Sequence, residues 1–103
     1  MNNDMREWVK NKILKSQSRR RFLEYLFKMG DNENRFEAAW ERTQPGVAEA
    51  LDCARSRISI IANEAISAGF VESRFRHIVG GPSDGRRRLA YFITRAGRTA
   101  LKT

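Results

Sequence analysis

The sequence predicts a mainly α-helical fold with one small antiparallel β-hairpin towards its C-terminal end. Three observations lead there. Residues 43–68 read as two helices broken by a tight turn. Residues 70–93 alternate apolar and polar side chains on either side of a dense turn signal, "GGPSDG", at 80–85. Before Gly30, apolar residues recur at helical spacing.

The first segment, about 4–16, carries Met5, Trp8, Val9, Lys12 and Ile13 in an amphipathic helix pattern, with Asp4 placed to cap it. The expectation is an amphipathic helix that packs on the rest of the chain or on a second copy. Glu7 and Asp4 dilute the lysines that a helix lying on a membrane surface would need. Ser18 is expected to cap a second helix, 19–29, which stops at Gly30. Its Phe22, Leu23, Leu26 and Phe27 make it the main core helix. Arg19, Arg20 and Arg21 oppose the dipole at its start, so they either stand in solvent or reach phosphate. In 31–42, "DNEN" is turn chemistry, and Asn34 and Glu37 stand in a weak capping-box relation. Phe36, Ala39 and Trp40 recur at helical spacing. A short helix or irregular stretch with Phe36 and Trp40 buried is expected, then a short strand near Arg42.

Thr43 can cap the next helix through its hydroxyl, and Pro45 sits in the first turn, where no amide hydrogen is needed. Val47, Ala48 and Leu51 share one face. The turn falls at Asp52, Cys53 and Ala54, and the lone Cys53 leaves no internal disulfide. A packed structural thiol is expected there. A longer helix, about 55–68, then ends at Gly69, with Ile58, Ile61, Ala62 and Ala65 inward. Its outer face is unusual. Ser56, Ser59, Ile60, Asn63 and Ser67 are short and uncharged, with Arg55 and Arg57 at the start. An ordinary solvated face would carry Glu and Lys.

Beyond Gly69, Val71, Phe75, His77 and Val79 alternate with Glu72, Arg74, Arg76 and Ile78 in a strand. After the turn, Leu89, Tyr91 and Ile93 are expected on the inner face of a second strand. Arg86, Arg87 and Arg88 flank a flexible tip. Thr94 caps a last helix, 95–102, anchored by Leu101. The chain divides into an N-terminal helix, 1–17, available for dimerisation, and the remainder, 18–103.

Charge is distributed unevenly. Residues 1–54 hold ten basic and nine acidic residues, whereas 55–103 hold ten basic and three acidic. Most of the net +8 therefore begins at Arg55, as a polyanion partner requires. No apolar run approaches the ~18 residues of a membrane span, and there is no signal-peptide core, so a cytoplasmic location is expected.

In the stretches "TQPGVAEALDCARSRISI", "AGFVESR" and "GGPSDGRRRLAYFITRAGRTAL" the chain resembles winged helix-turn-helix DNA-binding domains of the MarR-like kind. Thr43, Val47, Ala48 and Leu51 match the first helix of that motif. Arg55, Ser56 and Ile58 match the opening of its recognition helix. Gly69, Phe70 and Val71 match its close, and Tyr91, Ile93, Thr94 and Gly97 match the passage into the last helix. The resemblance covers about 18–102. It departs at Ala54, where relatives place a capping Ser or Thr, at Cys53, which replaces Ile or Val, and in a recognition helix rich in Ala and Ser.

The resemblance implies a homodimeric transcription regulator that binds double-stranded DNA. Helix 55–68 would enter the major groove with Ser56, Arg57, Ser59, Ile60 and Asn63 outward, Arg55 at its start. Thr43 and Gln44 would hold a phosphate at the preceding helix start. Arg86, Arg87 and Arg88 of the wing would lie along the minor groove or backbone, with Arg74 and Arg76 reaching backbone. Trp8, Val9, Ile13 and Leu101 are the candidate dimer contacts. No cofactor, metal or catalytic group is expected: His77 and Cys53 lie on different elements, and "GGPSDGRRR" opens a strand without the phosphate-loop lysine. The alternatives are a winged-helix module for protein interaction and a nucleic-acid-binding protein without a regulatory role. The sequence names no effector.

Overall fold

Helix α1 (Asn3–Lys15) and helix α2 (Gln17–Met29) open the chain in a computed structural model that describes residues 3–30 and 36–102. Strand β1 (Glu37–Ala39) and a 3₁₀ turn (Trp40–Arg42) lead into α3 (Gln44–Leu51) and α4 (Arg55–Ser67). Strands β2 (Val71–Val79) and β3 (Arg87–Ile93) make the hairpin, and α5 (Arg95–Lys102) closes the fold. The architecture is mainly helical with a small sheet, as the periodicities imply.

The first helix starts at Asn3, so Asp4 lies inside it. The side chains of Asp4 and Met5 lie outside the described residues, as does the Asn34 capping relation. The second helix begins earlier than expected. Ser16, not Ser18, is its cap and accepts a hydrogen bond from the Arg19 amide. A cap needs extended backbone, and Ser16 has it at φ −84°, ψ 123°, whereas Ser18 is already helical.

Residues 36–42 correct the sequence expectation. The strand precedes the helical turn, and Phe36 is 73% exposed while Trp40 is buried. The helical spacing of Phe36, Ala39 and Trp40 is overridden by strand pairing. Ala38 sits beside Ile78 in parallel register, and the His77 amide donates to the Phe36 carbonyl at 2.7 Å. The sheet therefore has three strands in the order β1-β2-β3, parallel then antiparallel.

Each face of this sheet is covered by something different. Val71, Tyr91 and Ile93 join the main core, where α2, α3 and α4 contribute Phe22, Leu26, Val47, Ile58 and Ala62. Phe22 meets Tyr91 edge-on, with centroids 5.8 Å apart. On the other face, Ala38, Trp40, Ile78 and Ala90 form a second, smaller cluster. Ile78 is therefore buried, while Phe75, Val79 and Leu89, expected inward, are exposed. They lie on the core-facing side but beyond the reach of the helices.

Two backbone positions set the helix packing. Asp52 adopts the left-handed conformation that ends α3, its amide donating to the Glu49 carbonyl. A Cβ at Gly46 would overlap the Trp40 carbonyl oxygen, so only glycine lets α3 lie against the 3₁₀ turn. Arg42 is buried beneath this junction. Its guanidinium donates to the carbonyls of Tyr91 at 3.2 Å and Gly30 at 2.6 Å and lies over the Phe92 ring. It thus ties the end of α2 to the sheet and supplies a donor to the Gly30 carbonyl beyond the helix.

The hairpin tip, expected to be a flexible loop, is a hydrogen-bonded turn. Asp84 accepts from the Gly80 amide at 2.6 Å, and the Arg86 amide donates to the Ser83 carbonyl at 2.9 Å. Ser83 is buried, and the backbone at Gly81 lies against the Trp40 indole.

Candidate nucleic-acid interface

Helix α4 is positioned by its inward face, Ile58, Ile61, Ala62 and Ala65, all buried as the spacing implies. Its outward residues Ser56, Arg57, Ile60, Asn63 and Ser67 are exposed and Ser59 is half-buried. Ile60, at 56% exposure, is the large apolar member of that face. Ala54 gives α4 no side-chain cap, so the first turn is closed by its carbonyl alone, which accepts from the Arg57 and Ile58 amides.

The one carboxylate on α4 is Glu64, and it is turned to the side. It pairs with Arg19 of α2 and, at 3.0 Å, with Lys12 of α1. The Arg19 hydrogen bond, followed by that from Lys12, holds its carboxyl below the usual carboxylate range against the opposing effect of burial. Arg57 reaches the Ser18 hydroxyl at 3.1 Å. Of the three arginines that start α2, Arg19 thus serves α4, Arg20 pairs with Glu24, and Arg21 stands exposed.

The α3 start lies beside α4. Gln44 donates from its amide nitrogen to the Arg55 carbonyl at 2.7 Å. Thr43 does cap α3, accepting from the Gly46 amide at 3.2 Å and donating to the Trp40 carbonyl at 2.6 Å. It is fully buried, however, so its side chain is withdrawn from the outward set named from the sequence. Its role is to hold α3 in place.

The wing arginines divide between the two faces of the hairpin. Strand alternation puts Arg87 on the side of Phe75 and Leu89, and Arg74, Arg76 and Arg88 on the other. Arg74 pairs with Glu72 at 3.4 Å, and Arg76 stacks on Phe92 at 5.5 Å. Arg86 is exposed at the turn. A cleft of about 260 Å³ runs between the hairpin and the α3 start, lined by Gln44, Pro45, Phe75, Arg87 and Leu89, with Tyr91 at its buried end. Burial pushes the Tyr91 hydroxyl above its ordinary value. A second hollow holds Arg55 and Pro82, so the α4 start and the wing tip also adjoin. Phe75, Leu89 and Pro45 were not among the site residues named from the sequence. Phe75 and Leu89 are marked out by their departure from the covered core, and Pro45 by its place across the cleft from them.

Among the described residues no group of three or more His, Cys, Asp or Glu is placed to hold a metal ion, and no helix is long and apolar enough to cross a membrane. Cys53 is half-buried against the main core. Of the candidate dimer contacts, Trp8 is 63% exposed, but Ile13 is buried in the main core. Ile13 is corrected to a core residue: the stripe of α1 is spent on α2 and α4. Val9 and Leu101 also pack on that core.

A helix-turn-helix followed by a two-stranded wing on a helical support defines a winged helix-turn-helix fold. The chain is similar to the crystal structure of a MarR family transcription regulator, with a TM-score of 0.61 and 23% identity. The likeness covers 95% of this chain and 54% of the regulator, so the chain spans about half the length of the protein it matches. At that identity it establishes the fold. No protein-family model matches the sequence. No curated protein matches it either.

Proposed function

We propose that the chain binds double-stranded DNA and acts as a transcription regulator, reading sequence with α4 and holding backbone with the wing. One observation carries this. The only acid on α4, Glu64, is neutralised by Arg19 and Lys12, which leaves an outward face of short neutral side chains beside arginines. Such a face can approach base edges closely without repelling phosphate.

In this reading Asn63 pairs with adenine, Arg57 reaches guanine or phosphate, and Ile60 meets a thymine methyl. Gln44 and Arg55 sit at the adjoining helix starts, where a phosphate is favoured. Arg86, Arg87 and Arg88 add backbone contacts, while Arg74 and Arg76 stand further back on the hairpin. The regulator named above supports a regulatory role for this fold. A homodimer would use exposed Trp8 rather than Ile13, and would act in the cytoplasm.

The test is titration of a labelled mixed-sequence duplex at several salt concentrations. With about six phosphates neutralised, log affinity should fall against log salt with a slope of about −5. No binding at low salt removes the reading.

A further inference from the structure

Phe75 and Leu89 face each other across the hairpin, 58% and 43% exposed. Large apolar side chains standing together in water mark a contact surface. They form one wall of the cleft whose other wall is Gln44 and Pro45 at the α3 start. Arg87 lies over the Phe75 ring at 5.8 Å, Arg88 lies at the rim, and no carboxylate lines the cleft. The cleft therefore combines an apolar wall with a cationic edge. A second copy of this surface would set like charges together. An acidic peptide would match both only where an apolar side chain happens to flank the acid at the right spacing. A nucleotide unit offers both features that the cleft needs, an anionic phosphate joined to a sugar with an apolar face.

We propose that this cleft seats one deoxyribose–phosphate unit of the bound duplex, the sugar against Phe75 and Leu89 and the phosphate at Arg87. The assignment rests on the DNA reading above and adds a substrate preference to it. A ribose at this position would press its 2′-hydroxyl against hydrocarbon, losing water without gaining a partner. Of the neutral polar side chains on the cleft, Thr43 is fully buried with its hydroxyl engaged by Trp40 and Gly46, and Tyr91 is buried at the cleft's end. Gln44 is on the opposite wall, with its amide nitrogen donating to the Arg55 carbonyl. The wing thus discriminates DNA from RNA through residues that read no base.

The experiment uses the full chain and a duplex of the sequence recovered by binding-site selection. Single ribonucleotides are walked through each strand and affinities compared. One position should show a loss of about tenfold, the size expected when a hydroxyl is desolvated without a partner. Phe75→Ser should abolish that position's penalty and weaken all-DNA binding, whereas Phe75→Leu, which keeps the wall apolar, should retain the penalty. Equal affinity at every ribonucleotide position, or an unchanged penalty in Phe75→Ser, overturns the assignment and leaves duplex binding standing. If Phe75→Ser dissolves a self-associated species and leaves DNA affinities untouched, the wall belongs to a second copy and the assignment also fails. No binding of the all-DNA duplex overturns both readings.

Discussion

Glu64 of α4 faces Arg19 of α2, and this pair, with Lys12 of α1 on the second carboxylate oxygen, joins three helices at one point. The acid that would spoil the outward face of α4 becomes a support for it. Glu64→Gln should lower stability at pH 7 by about 1 kcal/mol, since the site is partly solvated and the pairing modest. Because the folded carboxyl is held below its ordinary value of 4.5, its contribution is present above that value. It is lost as pH falls through the lower folded value. Urea denaturation across the acid range should show wild type and Glu64→Gln converging at low pH. A constant gap would rule this out.

Gly46 is required by the contact of α3 with the 3₁₀ turn. Gly46→Ala should cost about 2–3 kcal/mol through forced separation of the two segments. In a domain of this size that is a fall in melting temperature of roughly 10 °C or more. Calorimetry checks it.

Arg42 bonds backbone carbonyls from α2's end and from β3. Arg42→Met fills similar volume but leaves those acceptors without their donor. The expected loss is about 2–3 kcal/mol, read as a shift in denaturation midpoint at constant slope.

The triple substitution of Arg86, Arg87 and Arg88 to Ala should lower the salt slope of duplex binding by about 3, one for each phosphate contact removed. Asn63→Ala should instead leave the slope unchanged and relax the preference at one base pair, at a cost of about 1–3 kcal/mol. Anisotropy titrations at several salt concentrations separate the two effects.

The helices were legible because their signals are local. Thr43, Thr94 and Gly69 cap or end the helices expected of them, and the inward spacing of Ile58, Ile61, Ala62 and Ala65 is what the structure buries. The sheet was less legible, because its two faces are covered by partners distant in sequence. Alternation placed Phe75 and Leu89 on the core-facing side correctly, but could not tell that the helices stop short of them. Nor could it show that Trp40 and Ala38 would bury Ile78 on the reverse. The strand at 37–39 exists only because β2 pairs with it. The roles of Arg42 and Glu64 carry no local signal, since their partners lie 12 or more residues away. Among the site residues, the α4 face was legible from spacing. The burial of Thr43 and the division of the wing arginines needed the fold.

Selection of bound sites from a pool of random duplexes, with wild type and Asn63→Ala in parallel, tests the central claim most directly. Wild type should enrich a defined consensus, palindromic if the protein acts as a dimer, and Asn63→Ala should lose preference at one position per half-site. Recovery of no enriched sequence, or an identical consensus from both proteins, would contradict the assignment of α4 as the reading helix.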